Sequence, residues 1–412
     1  MVEISQQGVK GRKYRSNEVA DDIELWDSFV RKAQIESGHV NVILSGDVMT
    51  GRGIDQILAH PSHPRIHEPR VSSATDYVRL AELLNGRIPY PVNFRYIWGA
   101  ALDELRSSAP ALCVVNLETV ITGSNRFLPK GINYRMNPEN AGCLTAAGIN
   151  CCVLANNHVL DWDHAGLIET LGTLEKLEIA AVGAGRNIVE ARAPAIFDVG
   201  PGRILIYAAA SVTGGTPATW AAGDHAPGVN ILGDLSENTA AEIAGRIAQV
   251  KRPGDIVIFS VHWGSNWGYS VPREQVLFAH RLIDEAGVSV VFGHSSHHAK
   301  AIECYRGGLI LYGCGDFLND YEGITGFESY RGDLALLYMI SFNNGRDEPV
   351  KLELVPFQIR RFQLARPAPD DINWLAGRLD RESSRFGTSV RLLPSEKLAA
   401  LAISGLGTAI SA

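Results

Sequence analysis

The stretch from Val288 to His298, Val-Ser-Val-Val-Phe-Gly-His-Ser-Ser-His-His, restricts the fold more than any other part of this 412-residue chain. Val288 to Phe292 is short, apolar and rich in β-branched residues, which is the composition of a strand buried on both faces. Gly293 ends the run, and His294, His297 and His298 follow at once. The end of a central strand is where a rigid sheet can aim ligands into a cleft. Neutral imidazole is the commonest metal ligand and the side chain whose pKa lies nearest neutrality. One histidine here would read as a surface loop residue. Three of them, with polar groups at other strand ends, read as a site.

Those other ends recur along the chain. Val40 to Leu44 is a strand that delivers Asp47, and Cys113 to Leu117 is one that delivers Asn116 and Glu118. Ile149 to Leu154 leads into Asn156-Asn157-His158, and Asp255 to Val261 into His262-Trp263-Gly264 with Asn266 and Trp267 beyond. Strands alternating with helices put such ends on one edge of a sheet, where open α/β folds keep their sites. Carboxylate, amide oxygen and imidazole together suit Zn, Mn, Fe or Co better than Ca or a thiolate site. One or two such ions would acidify a bound water, and His158 is placed to protonate a leaving group. Met49 offers only a soft thioether beside Asp47, so a second ion position would be weak or empty. Arg52, Arg135 and Lys300 are candidate anchors for an anionic substrate. Asn116 and Asn266 are further candidate contacts, and Trp263, Trp267 and Tyr321 candidate walls of the cleft.

The rest of the chain sets limits. A formal charge of −7 gives no basic footprint for nucleic acid. Six cysteines without a Cys-x-x-Cys pair do not make a disulfide framework, although Cys304 and Cys314 flank a predicted hairpin and a bridge between them stays open. Met1 to Arg15 is polar and lacks the apolar core of a signal peptide, and no stretch reaches the roughly 18 apolar residues of a membrane helix. The expected location is therefore the cytoplasm. Residues 1–38 read as a polar tail with a helix from Asp22 to Ile35, 39–360 as one main domain, and 361–412 as a helical extension packed on it. Within the extension, Asp370 to Arg385 reads as a helix and Leu398 to Ala412 as a docking segment. Gly214 to Gly228, rich in small residues, reads as a loop over the site.

Taken in order, Gly46-Asp47-Val48-Met49-Thr50-Gly51-Arg52, Asn116-Leu117-Glu118-Thr119, Asn156-Asn157-His158, His262-Trp263-Gly264, Gly293-His294-Ser295-Ser296-His297 and Gly313-Cys314-Gly315-Asp316-Phe317 resemble the signature of the CapA-type poly-γ-glutamate capsule synthesis proteins. The likeness covers roughly residues 40 to 345, and it is strongest to polyglutamine synthesis accessory proteins of mycobacteria. That family is similar in fold to calcineurin-like metallophosphoesterases. The resemblance implies an α/β (α+β) four-layer sandwich of two mixed β-sheets flanked by helices. It implies Asp47, Glu118, Asn157, His262, His294 and His297 as metal ligands, and His158 as the acid. Met49 stands where a phosphoesterase has a metal-binding histidine. The expected function is a metal-dependent hydrolase of an amide or phosphoester in poly-glutamate or capsule polymer synthesis. Its partners would be an anionic peptide polymer or phosphorylated substrate and a membrane-bound polymer synthase. A peptide epimerase on the same fold and a non-catalytic polymer-binding accessory protein are the alternatives.

Overall fold

The structure, a computed structural model, describes residues 38–200 and 202–402. The expected helix from Asp22 to Ile35, and the chain beyond residue 402, lie outside the described residues. Strands β1 (His39–Val48), β2 (Leu112–Leu117), β3 (Cys151–Val153) and β4 (Ala180–Val182) come first. Helix α1 (Asp163–Lys176) crosses between β3 and β4. Next come β5 (Arg203–Ser211), α2 (Glu237–Ala248), β6 (Ile256–His262), α3 (Arg273–Asp284) and β7 (Val290–His294). The hairpin of β8 (Ile302–Tyr305) and β9 (Gly308–Leu311) leads into β10 (Asp316–Leu318). The described residues end with β11 (Leu334–Asn343), β12 (Pro349–Arg360), α4 (Pro369–Ser384), β13 (Thr388–Leu392) and β14 (Leu398–Ala402).

Two mixed sheets result. The ten-stranded sheet runs β13-β14-β12-β11-β1-β2-β3-β4, with β10 beside β1, and the seven-stranded sheet is centred on β5-β6-β7-β9-β8. Parallel pairing joins β1, β2, β3 and β4 in the first and β5, β6, β7 and β9 in the second. Parallel strands in register end together, which is what gathers side chains from distant sequence.

Alternation along the strands decides which layer each side chain enters. In β5, Ile204, Ile206 and Ala208 enter the large core shared with Val42 and Leu44 of β1, whereas Leu205, Tyr207 and Ala209 enter a second core under α2 and α3. In β6, Ile256 and Ile258 take the first side, and Val257, Phe259 and Val261 the second. In β7, Val290 and Phe292 face the first core and Val291 the second. The layers are therefore helices, seven-stranded sheet, ten-stranded sheet and helices, the four-layer α/β sandwich expected. The same parity carries His262 and His294 toward the other sheet and Trp263 away from it.

The C-terminal part differs from the expectation of a helix and a docking segment. Helix α4 forms, and Ile372, Leu375 and Leu379 join the large core. Leu398 to Ala402 is a strand, paired with β13 on one side and with β12 on the other. The six cysteines are free thiols, so Cys304 and Cys314 do not pair. Among the described residues no helix is long and apolar enough to cross a membrane.

Candidate metal centre

Register assembles the site. Asp47 at the end of β1 pairs with Asn116 of β2 on one side and with Asp316 of β10 on the other. Gly46 makes this possible, because a Cβ there would lie 1.8 Å from the Gly315 carbonyl oxygen. In the facing sheet His262 pairs with His294. The sheets then meet through these ends. His294 Nδ1 lies 3.0 Å from Asp47 Oδ1, and His262 Nδ1 lies 3.5 Å from Glu118 Oε1. A Cβ on Gly214 would come within 2.7 Å of His262 Cδ2, so the 212–215 turn packs directly on that imidazole.

Asp47, Glu118 and His262 are buried, and their ligand atoms all lie within 4.8 Å of one another. Asp47 Oδ2, both ring nitrogens of His262, His294 Nε2 and Asn157 Oδ1 are buried with no hydrogen-bond partner. Buried polar atoms without partners are costly. A set of oxygen and imidazole acceptors in one cluster could hold a divalent metal ion.

The electrostatics point the same way. Burial, reinforced by the charges of Asp47 and Asp316, pushes Glu118 well above its ordinary value. Burial also works against ionised Asp47, but the hydrogen bond and charge of His294 outweigh it and hold that carboxyl low. Burial drives the His262 imidazole down to about 3. The cluster therefore offers neutral imidazole beside two carboxylates that repel each other, and a cation would relieve that repulsion.

His158 sits at the rim with Nδ1 2.8 Å from Asp161 Oδ2 and its ring stacked 4.0 Å from Tyr134. Burial, helped by the charge of Lys130, lowers it to about 4. Its Nδ1 also lies 3.3 Å from Lys130 Nζ. His297 shows the opposite balance. Burial alone would lower it, but the charge and hydrogen bond of Asp316 raise it above its ordinary value.

Several residues expected to contact substrate also have protein partners. Asn116 Nδ2 donates to Asp47 Oδ1 at 2.8 Å and its Oδ1 accepts from Asn156 at 3.0 Å, so it orients the carboxylate and has no free end. Arg52 is buried, paired with Glu68 at 2.9 Å and with Asp320, and flat against Tyr77 at 3.6 Å. Arg135 ties loops together through Ser124 O, Asn125 and His63 O and lies over Trp162. Trp263 turns into the second core, its Nε1 donating to Tyr312 O at 3.1 Å. Lys300 is buried. Asn266 is exposed and reaches His297, while Trp267 and Tyr321 flank the same ring at 5.3 and 5.4 Å. Asn157 places its backbone carbonyl against Lys130 Nζ and its side chain beside Gly215. Met49 is buried, its N–H donating to Leu318 O.

The structure adds residues that sequence reasoning had not assigned. Asp316 holds His297, Asp161 holds His158, and Lys130 Nζ lies 2.7 Å from Asp161 and 3.3 Å from His158 Nδ1. Asp316 ends one of the motifs already singled out, and Asp161 stands three residues after His158. Lys130, in the Pro129-Lys130-Gly131 turn, carries no local signal.

Fold and site together define a two-sheet sandwich protein with a buried carboxylate–imidazole cluster, able to hold a metal, where its sheets meet. The chain belongs to the bacterial capsule synthesis protein family PGA_cap, whose profile matches residues 41–321. It is 46% identical to a probable polyglutamine synthesis accessory protein of Mycobacterium tuberculosis, over 87% of this chain and 95% of that one. It is 27% identical to the PGA biosynthesis protein CapA of Bacillus subtilis, over 62% of each chain. Among solved structures it is similar to a phosphatase of Mycoplasma pneumoniae at 12% identity, with a TM-score of 0.44 over 80% of this chain and 95% of that one.

Proposed function

We propose that this chain is a metal-dependent hydrolase in the synthesis or processing of a poly-glutamate or polyglutamine-type envelope polymer. The scissile bond would be an amide or phosphoester in an anionic chain or its phosphorylated precursor. The observation that carries this reading is the cluster of Asp47, Glu118, His262 and His294, where buried acceptors from both sheets are left without partners. The names of the mycobacterial and Bacillus relatives supply the polymer.

Asp47, Glu118, His262 and His294, with Asn157 at the margin, would hold the ion. A divalent cation there supplies Lewis acidity and lowers the pKa of water. Asn116 fixes the Asp47 carboxylate. With Nδ1 tied to Asp161, His158 keeps Nε2 to accept a proton from water or substrate. Lys130, at the rim, is the cation placed to draw an anionic chain toward the site.

The test is metal analysis of the purified protein beside Asp47→Ala and His294→Ala. The parent is expected to carry a transition metal, or to be stabilised by added Mn²⁺ or Zn²⁺, and the variants to lose both. A parent that neither binds nor responds to metal ends the proposal. A second reading, peptide epimerisation, draws on the two imidazole–carboxylate pairs, His158–Asp161 and His297–Asp316, since α-proton exchange uses two acid–base groups. Racemised product without chain cleavage would select it.

A further inference from the structure

Two phenols stand between the imidazoles at the rim of the cluster. Tyr134 stacks on His158 with ring centres 4.0 Å apart, and Tyr321 meets His297 edge-on at 5.4 Å. Their hydroxyl oxygens lie 2.7 Å from each other. Tyr134 is buried and Tyr321 partly so. Burial raises both phenols above their ordinary value, and Glu118 of the cluster is among the charges that add to it.

The pair is held in place by a buried cation. The Arg52 guanidinium lies over the rings of Tyr77, Tyr134 and Tyr321 at 3.6, 4.9 and 5.6 Å, and contacts of this kind fix a ring against a charge. Arg52 is oriented in turn by Asp320, to which Nε donates at 3.0 Å, and by Glu68, to which Nη1 donates at 2.9 Å. Glu68 also accepts from the Tyr77 hydroxyl. The Arg52 backbone adopts φ +50°, a costly region for a residue with a side chain, and it persists only where the surroundings enforce it. Tyr321 is fixed from its own loop, where its N–H donates to Asn319 Oδ1 at 3.0 Å.

The hydrogens of the two hydroxyls do not balance within the protein. A phenol carries one hydrogen and keeps it at neutral pH, since its pKa is about 10. One hydroxyl of the pair donates to the other, and the accepting hydroxyl still has its own hydrogen. Among the described residues no protein acceptor receives it. A fixed neutral donor beside a metal cluster is the group that developing negative charge calls for.

We propose that the paired hydroxyls of Tyr134 and Tyr321 form an oxyanion site, whose free O–H donates to the substrate oxygen that gains charge at the reacting carbonyl or phosphoryl centre. This rests on the hydrolase reading above. The phenols make and break no covalent bond; their hydrogen bond strengthens as charge builds on the acceptor.

Calorimetry on the purified full chain loaded with Zn²⁺ tests this, comparing the parent with a Tyr134→Phe, Tyr321→Phe double variant. Inorganic phosphate is the probe for a phosphoester product, and acetate for the carboxylate that an amide releases. Phenylalanine keeps the rings and their stacking and removes only the hydroxyls. The double variant is expected to bind whichever anion the parent holds more tightly at least about tenfold more weakly, as for a lost hydrogen bond to a charged group. Its Zn²⁺ affinity is expected to change less than about tenfold, the smallest loss that removing a group orienting a ligand brings. A smaller loss of anion affinity overturns the proposal. So does a larger loss of Zn²⁺ affinity, which makes the phenols supports of the metal cluster. Should the double variant not fold, spectra of the parent labelled with ¹³C at tyrosine Cζ decide. Phosphate or acetate is expected to shift the Tyr134 or Tyr321 resonance, and resonances that stay in place with both anions overturn the proposal. A parent that holds Zn²⁺ but neither anion overturns this inference alone, whereas one that binds neither Zn²⁺ nor Mn²⁺ overturns the hydrolase reading with it.

Discussion

Glu118 concentrates the tension in the site. It is 3% exposed and lies among the charges of Asp47 and Asp316, so its folded-state pKa stands well above the ordinary 4.5. For an acid raised in this way the sign is fixed by linkage. The stabilising contribution is present below the unfolded pKa and is lost as pH rises through the folded value. Metal-free protein is therefore expected to lose stability as pH rises from about 4.5 toward neutrality, and bound metal to restore it. Glu118→Gln is expected to raise the neutral-pH unfolding midpoint of metal-free protein, flatten that pH dependence and abolish metal stabilisation. Urea melts with and without chelator check all three, and a Glu118→Gln protein less stable than the metal-free parent at pH 7 refutes the assignment. The histidines were legible in sequence because three follow one strand end. The protein partners of Asn116, Arg52 and Arg135 were not legible for the converse reason: Asp47, Asp320 and the 124–125 loop come close to them only on folding.

Among the elements, helices and hairpins with strong local signals stand where their patterns put them. The β8–β9 hairpin turns at Arg306-Gly307, and α3 is followed by Gly287 at φ +62°. The last strand, β14, was not legible. Leu398-Ala-Ala-Leu-Ala has no β-branched residue, and its pairing with β12 and β13 makes it a strand. What holds this C-terminal part on the sandwich is partly ionic. Arg331 makes paired 2.8 Å bonds to Asp333 and a 2.7 Å bond to Asp371 in the first turn of α4, while Gln358 donates to Asp333 from β12. Burial works against the Asp333 carboxylate, but these hydrogen bonds outweigh it and hold its pKa below the ordinary 3.8. A depressed acid contributes stability above its unfolded pKa and loses it as pH falls through the folded one. Because the Asp333 side chain is 39% exposed, Asp333→Asn is expected to cost only about 1 kcal/mol at pH 7. The gap from the parent should shrink as pH falls below about 4. Denaturant melts at both pH values check this, and a gap that does not shrink rules out the charged pair as its source.

At the scale of the whole molecule, the site lies on the seam between two sheets. Asp47 and Glu118 come from the ten-stranded sheet, and His262 and His294 from the seven-stranded one. Direct polar contacts across this seam include His294 to Asp47, His262 to Glu118 and His297 to Asp316. A cation shared by ligands from both sides would join the sheets as a cross-link does, and it binds the folded state alone because the ligands come together only on folding. The stabilisation follows from mass action and reaches about 2.7 kcal/mol at a hundred times Kd. Thermal melts over a Mn²⁺ or Zn²⁺ titration are expected to rise with log concentration in the parent. Removing a donor from either sheet, as in Asp47→Asn or His262→Gln, should flatten the titration equally, since an ion held by one side no longer spans the seam. A variant of one sheet that keeps the full metal-dependent rise would show that the ion sits on the other sheet alone, and the cross-link would have to be abandoned.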